Sequence, residues 1–220
     1  AVAAAGYTTA GNGPKGHGLI LRGDGTIWSA GYNGLGQLGL GDATDRVSFT
    51  QIAHPSFFTD IFSGDGRYPA CGAISQQKDI YLWGYNGYGQ CGSGNTVNQL
   101  SPFKPAGAFQ GNVTKAVMGG GVSTDGCVIQ SGNHLWGTGY NANGNLGLGH
   151  AANVTTFQKV LGISGTIQDW NLYGNGYASW GMSVLYDDGR IDACGENSVG
   201  SCGTQPANLH NVLALTNVIL

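Results

Sequence analysis

One unit occurs four times along these 220 residues, and that repetition limits the possible folds more than any other feature of the sequence. The stretches GYNGLGQLGLGD (31–42), GYNGYGQCGSGN (84–95) and GYNANGNLGLGH (139–150) are near copies, and GENSVGSCG (195–203) is a looser fourth. Anchored on Asn33, Asn86, Asn141 and Asn197, the copies lie 53, 55 and 56 residues apart. Two positions before each anchor stands a glycine: Gly31, Gly84, Gly139 and Gly195. Three positions after it come Gly36, Gly89, Gly144 and Gly200, and six after it Gly39, Gly92, Gly147 and Gly203. Leu38, Cys91, Leu146 and Cys202 fill the position before that last glycine. An aliphatic (Ile27, Ile80, Leu135 or Ile191) sits six before the anchor.

Each copy reads as short strands. GLILRGDGTIWSAGYN (18–33) is an apolar run, a Gly-Asp-Gly turn and a second run of strand type, and MSVLYDDGRIDACGEN (182–197) repeats it. A short apolar segment precedes the hairpin (TDIFSG, TKAVMG, QDWNLYG), and another follows the glycine loop (FTQI, FQKV, NVLAL). Roughly four short strands per copy is the content of one propeller blade. No segment keeps a 3.6-residue period for three turns without a glycine interrupting it, so no helix is predicted. The fold expected is an all-β propeller of four blades of about 55 residues, one domain over 1–220 with repeats near 1–58, 59–113, 114–168 and 169–220.

The composition follows from that reading. Glycine occurs 41 times without a collagen period, and charged residues are only 10% against roughly 25% in ordinary domains. Glycine supplies positive φ and close backbone approach at the blade turns, and asparagine tolerates the left-handed region and caps turns with its amide. The recurring Leu or Cys then plugs the gap between neighbouring blades. A net charge of −3 offers no basic face for nucleic acid and no polybasic membrane patch. No apolar run approaches the roughly 20 residues of a spanning helix. Gly6, Gly64, Gly119 and Gly174 mark one phase of the period, and the sequence starts and stops near that phase. Three arrangements are compatible with four whole units: a closed ring of four, an arc of a larger ring, or an arc completed by other copies. Closure is expected, within one chain or through a homo-oligomer, because an open arc exposes apolar inter-blade faces.

IWSAGYNGLGQLGLGD, LWGYNGYGQCGSGN and LWGTGYNANGNLGLG resemble the repeats of the regulator of chromosome condensation family, with IDACGENSVGSCG a looser match. GHGLILRGDG (16–25) resembles the segment opening that family's hairpin. The resemblance covers essentially the whole chain and implies a β-propeller; the family usually closes seven blades. It implies no single activity, since the family includes exchange factors, ubiquitin-ligase modules, photoreceptors and virion or surface proteins.

No constellation carries catalytic chemistry, so the chain is expected not to be an enzyme and to need no metal or cofactor. His17, His54, His134, His150 and His210 fall at different points of the repeat and read as surface or turn histidines. Asp187 and Asp188 precede Gly189 in a turn, SWGMS (179–183) is not a nucleophile elbow, and GDGRY and GNGPKG do not lead into helices. The five cysteines contain no C-x-x-C pair and read as free, buried thiols. Trp28, Tyr81 and Trp136 share a column that suits packing between blades.

The candidates for binding lie on loops. Tyr32, Tyr85 and Tyr140 share a column beside the glycine turn, where an aromatic ring can stack on a sugar or anchor a protein. The segments after the plug column (40–46, 94–100, 149–155 and 204–210) vary most, and Asp42, Asp45, Arg46, Asn95 and His150 are their candidate contacts. The sparse charge and streamlined copies suggest a non-enzymatic binding or structural module. The expected setting is a phage tail fibre or bacterial surface component, placed on a virion or outside the cell, which recognises a host-surface glycan or protein or a neighbouring subunit. The alternative is a guanine-nucleotide exchange factor or another intracellular protein-interaction propeller.

Overall fold

The computed structural model describes residues 2–6, 9–10, 13–14, 16–64, 68–120, 125–174, 180–203 and 212–218, and in it each repeat is one antiparallel four-stranded sheet. The first blade holds β1 (Val2–Gly6), the small pair β2 (Thr9–Ala10) and β3 (Gly13–Pro14), then β4 (His17–Leu21), β5 (Ile27–Gly31) and β6 (Arg46–Gln51). The second runs β7 (Phe58–Ser63), β8 (Ala70–Ser75), β9 (Ile80–Gly84) and β10 (Gln99–Phe103). The third is β11 (Val113–Gly120), β12 (Asp125–Ser131), β13 (His134–Gly139) and β14 (Val154–Lys159). The fourth is β15 (Ile167–Gly174), β16 (Trp180–Tyr186), β17 (Ile191–Gly195) and β18 (Val212–Asn217). The described residues contain no helix. The propeller architecture read from the repeat is the architecture observed.

Strand order within each sheet follows the chain, so every connection joins neighbours. The repeat also fixes register. Gly31, Gly84, Gly139 and Gly195 pair with His17, Ala70, Gly126 and Gly181 at the start of each blade's second strand. The first strands pack side by side in sequence, β1 on β7, β7 on β11 and β11 on β15, which makes them the inner strands of a fan. No packing of that extent joins β15 back to β1 among the described residues. Among the described residues the four blades therefore form an arc, and of the arrangements expected from the sequence a ring of four closed on itself is not the one observed.

Core formation lies between blades rather than within them. One buried cluster joins Leu19, Ile27 and Ile52 of the first blade to Ile61, Ala73 and Trp83 of the second. The next joins Ile80, Leu82 and Cys91 to Met118, Cys127 and Ile129 across the second junction. The last joins Leu135 and Leu146 to Trp170, Trp180, Val184 and Cys194 across the third. An inner blade is buried on both faces, and β8 is buried at all six positions. At about 25 cal/mol per Å² of apolar surface, such junctions are where the repeat gains its stability.

Candidate functional site

The glycine loops stand on one face of the arc, and the anchor asparagine locks each of them from inside. Asn33, Asn86, Asn141 and Asn197 are all fully buried. Their Oδ1 atoms accept the backbone N–H of Leu38, Cys91, Leu146 and Cys202 at 2.8–2.9 Å. In the first three blades the Nδ2 group donates to two carbonyls further along the loop: those of Asp42 and Thr44, Asn95 and Val97, and His150 and Ala152. The anchor's own N–H donates to the side-chain oxygen of Asp45, Asn98 or Asn153.

The polar residues singled out on these loops take part in the same locking. Asp42, Asn95 and His150 occupy one column, and their side chains accept the backbone N–H of Thr44, Val97 and Ala152. Arg46 donates to Asp42 at 2.6 Å and holds its carboxyl below the usual carboxylate range. The fourth variable loop, 204–210 with His210, lies outside the described residues. So do Ser179 and parts of GDGRY and GNGPKG. Each described loop also ties to the blade after it: Gly41, Gly94 and Gly149 donate their N–H groups to the carbonyls of Leu100, Thr155 and Leu213, each at 2.8 Å. The result is a rigid platform, which is the support a recognition surface needs.

On this platform the structure gathers tyrosines. Tyr85 and Tyr140 lie in a row with Tyr68 and Tyr88, spanning the second and third blades. Ring centroids are 5.0 Å apart for Tyr68 and Tyr85, 6.2 Å for Tyr85 and Tyr88, and 5.3 Å for Tyr88 and Tyr140. The last two pairs meet edge to face, the arrangement that the ring quadrupole favours. All four rings are half-buried. Burial is the main cause that raises the Tyr85 and Tyr140 hydroxyls above their usual range, with Tyr88 adding to both. They stay neutral at physiological pH and act as hydrogen-bonding groups rather than bases. Tyr32 holds the equivalent place on the first blade, half-buried with its ring folded over Gly34. Tyr68 and Tyr88 were not singled out from sequence. Tyr88 follows its anchor by two positions, where Leu35, Asn143 and Val199 stand in the other copies, and Tyr68 lies just before a second strand.

The histidine reading needs one correction. His17 is not a surface group: it is 4% exposed at the junction of the first two blades, with Nε2 3.1 Å from Ser63 Oγ and 3.3 Å from Cys71 Sγ. Burial pulls its pKa down to about 4 and pushes the Cys71 thiol up to about 12. A neutral imidazole beside a protonated thiol is the opposite of the charged pair that activates a nucleophile. All five cysteines are free and buried. Among the described residues, no three His, Cys, Asp or Glu side chains converge to hold a metal ion.

Comparison with known proteins agrees with this geometry. The family profile described as the Regulator of chromosome condensation (RCC1) repeat matches residues 79–124. The chain is 27% identical over 205 residues to the Ultraviolet-B receptor UVR8 of Arabidopsis thaliana, covering 86% of this chain and 45% of that protein. It is 30% identical over 131 residues to the mouse (Mus musculus) Secretion-regulating guanine nucleotide exchange factor, covering 59% of this chain and 27% of that protein. The structure of yeast RCC1 (Prp20) bound to Kap60 superposes with a TM-score of 0.72 at 17% identity, over 93% of this chain and 47% of that one, and shares the fold. The chain thus spans less than half the length of these relatives.

These matches overturn two expectations. The relatives are eukaryotic proteins named as a receptor and an exchange factor, so neither a phage tail-fibre or bacterial surface role nor a virion or extracellular placement stands. The composition that suggested them has a structural cause. Glycines with positive φ and buried asparagines are needed to build the loops themselves, whatever the setting of the protein. Nothing among these relatives supports a surface glycan as ligand.

Proposed function

Because the chain is a β-propeller segment built of regulator of chromosome condensation repeats, we propose that it is a protein-interaction module acting through the face that carries its tyrosine row. The observation that carries this reading is the contiguous row Tyr68–Tyr85–Tyr88–Tyr140, in which Tyr85, Tyr88 and Tyr140 stand on loops locked from within. Tyrosine offers large contact area at low entropic cost together with a hydroxyl that can be satisfied by the partner, so it is enriched in interface cores and hot spots. The module works by binding and makes or breaks no covalent bond of its own.

A guanine-nucleotide exchange role is the more specific form of this proposal. It is favoured by the match to the Secretion-regulating guanine nucleotide exchange factor, and it makes a small GTPase the first partner to try. The test is titration of the chain against a panel of small GTPases, with nucleotide release followed alongside binding. Tyr88→Ala removes the ring that bridges Tyr85 and Tyr140. It is expected to weaken binding by about 30-fold, the equivalent of a ~2 kcal/mol hot spot, while the two lost ring contacts lower the melting temperature by only a few degrees and the fold is kept. Binding equal to the parent overturns the assignment of this face, and binding without nucleotide release leaves the interaction module but removes the exchange role.

A further inference from the structure

Two of the four anchors carry a chemical feature that the other two lack. Asn33 and Asn86 are each followed by glycine, whereas Ala142 follows Asn141 and Ser198 follows Asn197. The tyrosine before each of the first two anchors accounts for the glycine after it. Tyr32 and Tyr85 fold back over the loop, so that a Cβ on Gly34 or Gly87 would lie 2.1 Å from the tyrosine Oη. A side chain at either position would push the ring off the loop. The same glycine leaves the asparagine amide open to its own backbone. Without a Cβ in the way, the next peptide nitrogen can swing against the asparagine Cγ in a chain that is free to move.

The folded blade holds that reaction off. Both anchors are fully buried. Asn33 Oδ1 accepts the Leu38 N–H at 2.9 Å, and its Nδ2 donates to the carbonyls of Asp42 and Thr44 at 2.9 and 3.1 Å. Asn86 makes the same bonds with Cys91, Asn95 and Val97 at 2.8, 2.9 and 3.0 Å. The main-chain carbonyls of the two anchors are committed as well, accepting the N–H of Gly36 at 2.9 Å and of Gly89 at 2.8 Å. Attack on Cγ requires the side chain to leave these partners and a base from solvent to reach the peptide N–H, and a closed loop permits neither.

We propose that Asn33 and Asn86 are self-modification sites, closed in the folded blade and opened when the loop unlocks. The peptide nitrogen of Gly34 or Gly87, its proton taken by solvent base, attacks the asparagine Cγ. The N–Cγ bond forms, the Cγ–Nδ2 bond breaks, and the amide nitrogen takes up a proton and leaves as ammonia. One water then opens the resulting cyclic imide at either of its carbonyls and gives aspartate or isoaspartate, with no change in oxidation state. Neither product rebuilds the lock. Aspartate turns a carboxylate toward two carbonyls, and isoaspartate routes the main chain through the side-chain carbon, which displaces the carbonyl that Gly36 or Gly89 needs. A molecule that stays open long enough therefore loses the loops under Tyr32 and Tyr85 irreversibly. The anchors of the third and fourth blades, with a Cβ on the following residue, react more slowly. Other Asn-Gly pairs stand at 12–13, 143–144 and 175–176, none of them at an anchor, and Asn12 and Asn175 lie outside the described residues.

The test is peptide mapping by mass spectrometry of the 220-residue chain, held at one mildly alkaline pH either folded or in urea. In urea, Asn33 and Asn86 are expected to convert about tenfold or more faster than Asn141 and Asn197, as aspartate and isoaspartate peptides of raised mass. Gly87→Ala, read in urea so that folding plays no part, is expected to slow Asn86 to the rate of Asn141 and leave Asn33 unchanged. In the folded chain Asn33 and Asn86 are expected to stay intact over the same period. After removal of urea, the fraction converted at Asn86 is expected to melt at a lower temperature than unconverted protein. Conversion of Asn33 and Asn86 in the folded chain at the urea rate would overturn the proposal. So would equal rates at all four anchors in urea, or converted protein that refolds to the parent melting temperature. None of these readings involves a binding partner, so they stand or fall apart from the interaction role of the tyrosine face.

Discussion

Replacing Asn86 by alanine tests most sharply the idea that the glycine loop is held from inside. The side chain is fully buried, accepts the Cys91 N–H at 2.8 Å, and donates to Ser93 Oγ, the Asn95 carbonyl and the Val97 carbonyl at 2.9, 2.9 and 3.0 Å. Truncation removes these bonds and leaves the Cys91 N–H without its partner under the Tyr85 turn. At about 1 kcal/mol per net hydrogen bond, plus ~1–3 kcal/mol for an orphaned buried donor, the expected cost is about 3–5 kcal/mol. For a domain of this size that corresponds to a fall in melting temperature of roughly 10 °C. Asn86→Asp keeps an acceptor for the Cys91 N–H but turns a carboxylate toward two carbonyls. It is expected to be as damaging as alanine at pH 7 and to recover in part on acidification, when the acid can donate. The assay is thermal and urea unfolding of the three proteins side by side. A loss below 1 kcal/mol for Asn86→Ala, or an aspartate variant as stable as the parent at pH 7, would refute the reasoning.

Two further outcomes follow from the junctions. His17 is buried as the neutral imidazole with its pKa lowered to about 4, so between the unfolded value near 6.5 and about 4 the unfolded chain binds a proton that the folded chain refuses. Stability is therefore expected to fall by about 3 kcal/mol as pH drops through that window, and His17→Leu should flatten the loss in urea melts taken from pH 7 to pH 4. Gly89 sits at φ +86° with a Cβ position 2.5 Å from Thr155 Cα, so Gly89→Ala adds a backbone clash to the left-handed strain and is expected to cost about 2–5 kcal/mol. Gly200→Ala meets no described residue within 4 Å and is expected to cost the strain alone, about 1–2 kcal/mol, a difference that thermal unfolding resolves.

The parts of this molecule that repeat were legible in the sequence, because four copies average out everything that is not required. The glycine columns, the plug residues and the strand pairs fall where the spacing places them, since each is a local demand of turn geometry or of the next blade. What the copies disguised was a role filled by different chemistry. Asp42, Asn95 and His150 look unrelated, yet each caps the same turn with a side-chain acceptor, so they read as recognition residues when their bonds are internal.

Features present in a single copy were hidden. His17 shares its register position with Ala70, Gly126 and Gly181, so no pattern announced a buried imidazole. Of the tyrosine row, one column gave Tyr85 and Tyr140, but the ring contacts depend on how two blades meet, which spacing does not encode. The expected virion setting failed because composition was read as habitat when it was set by the turns.

Hydrogen exchange at the loop amides tests the central claim, that each glycine turn is a buried part of an inter-blade junction rather than a surface loop. The account predicts that the Leu38, Cys91 and Leu146 amides exchange as slowly as the core strands β8 and β12, and that Asn86→Ala releases the Cys91 amide while those of Leu38 and Leu146 stay protected. Exchange of all three amides at the rate of exposed loops, in the unsubstituted protein, would contradict it.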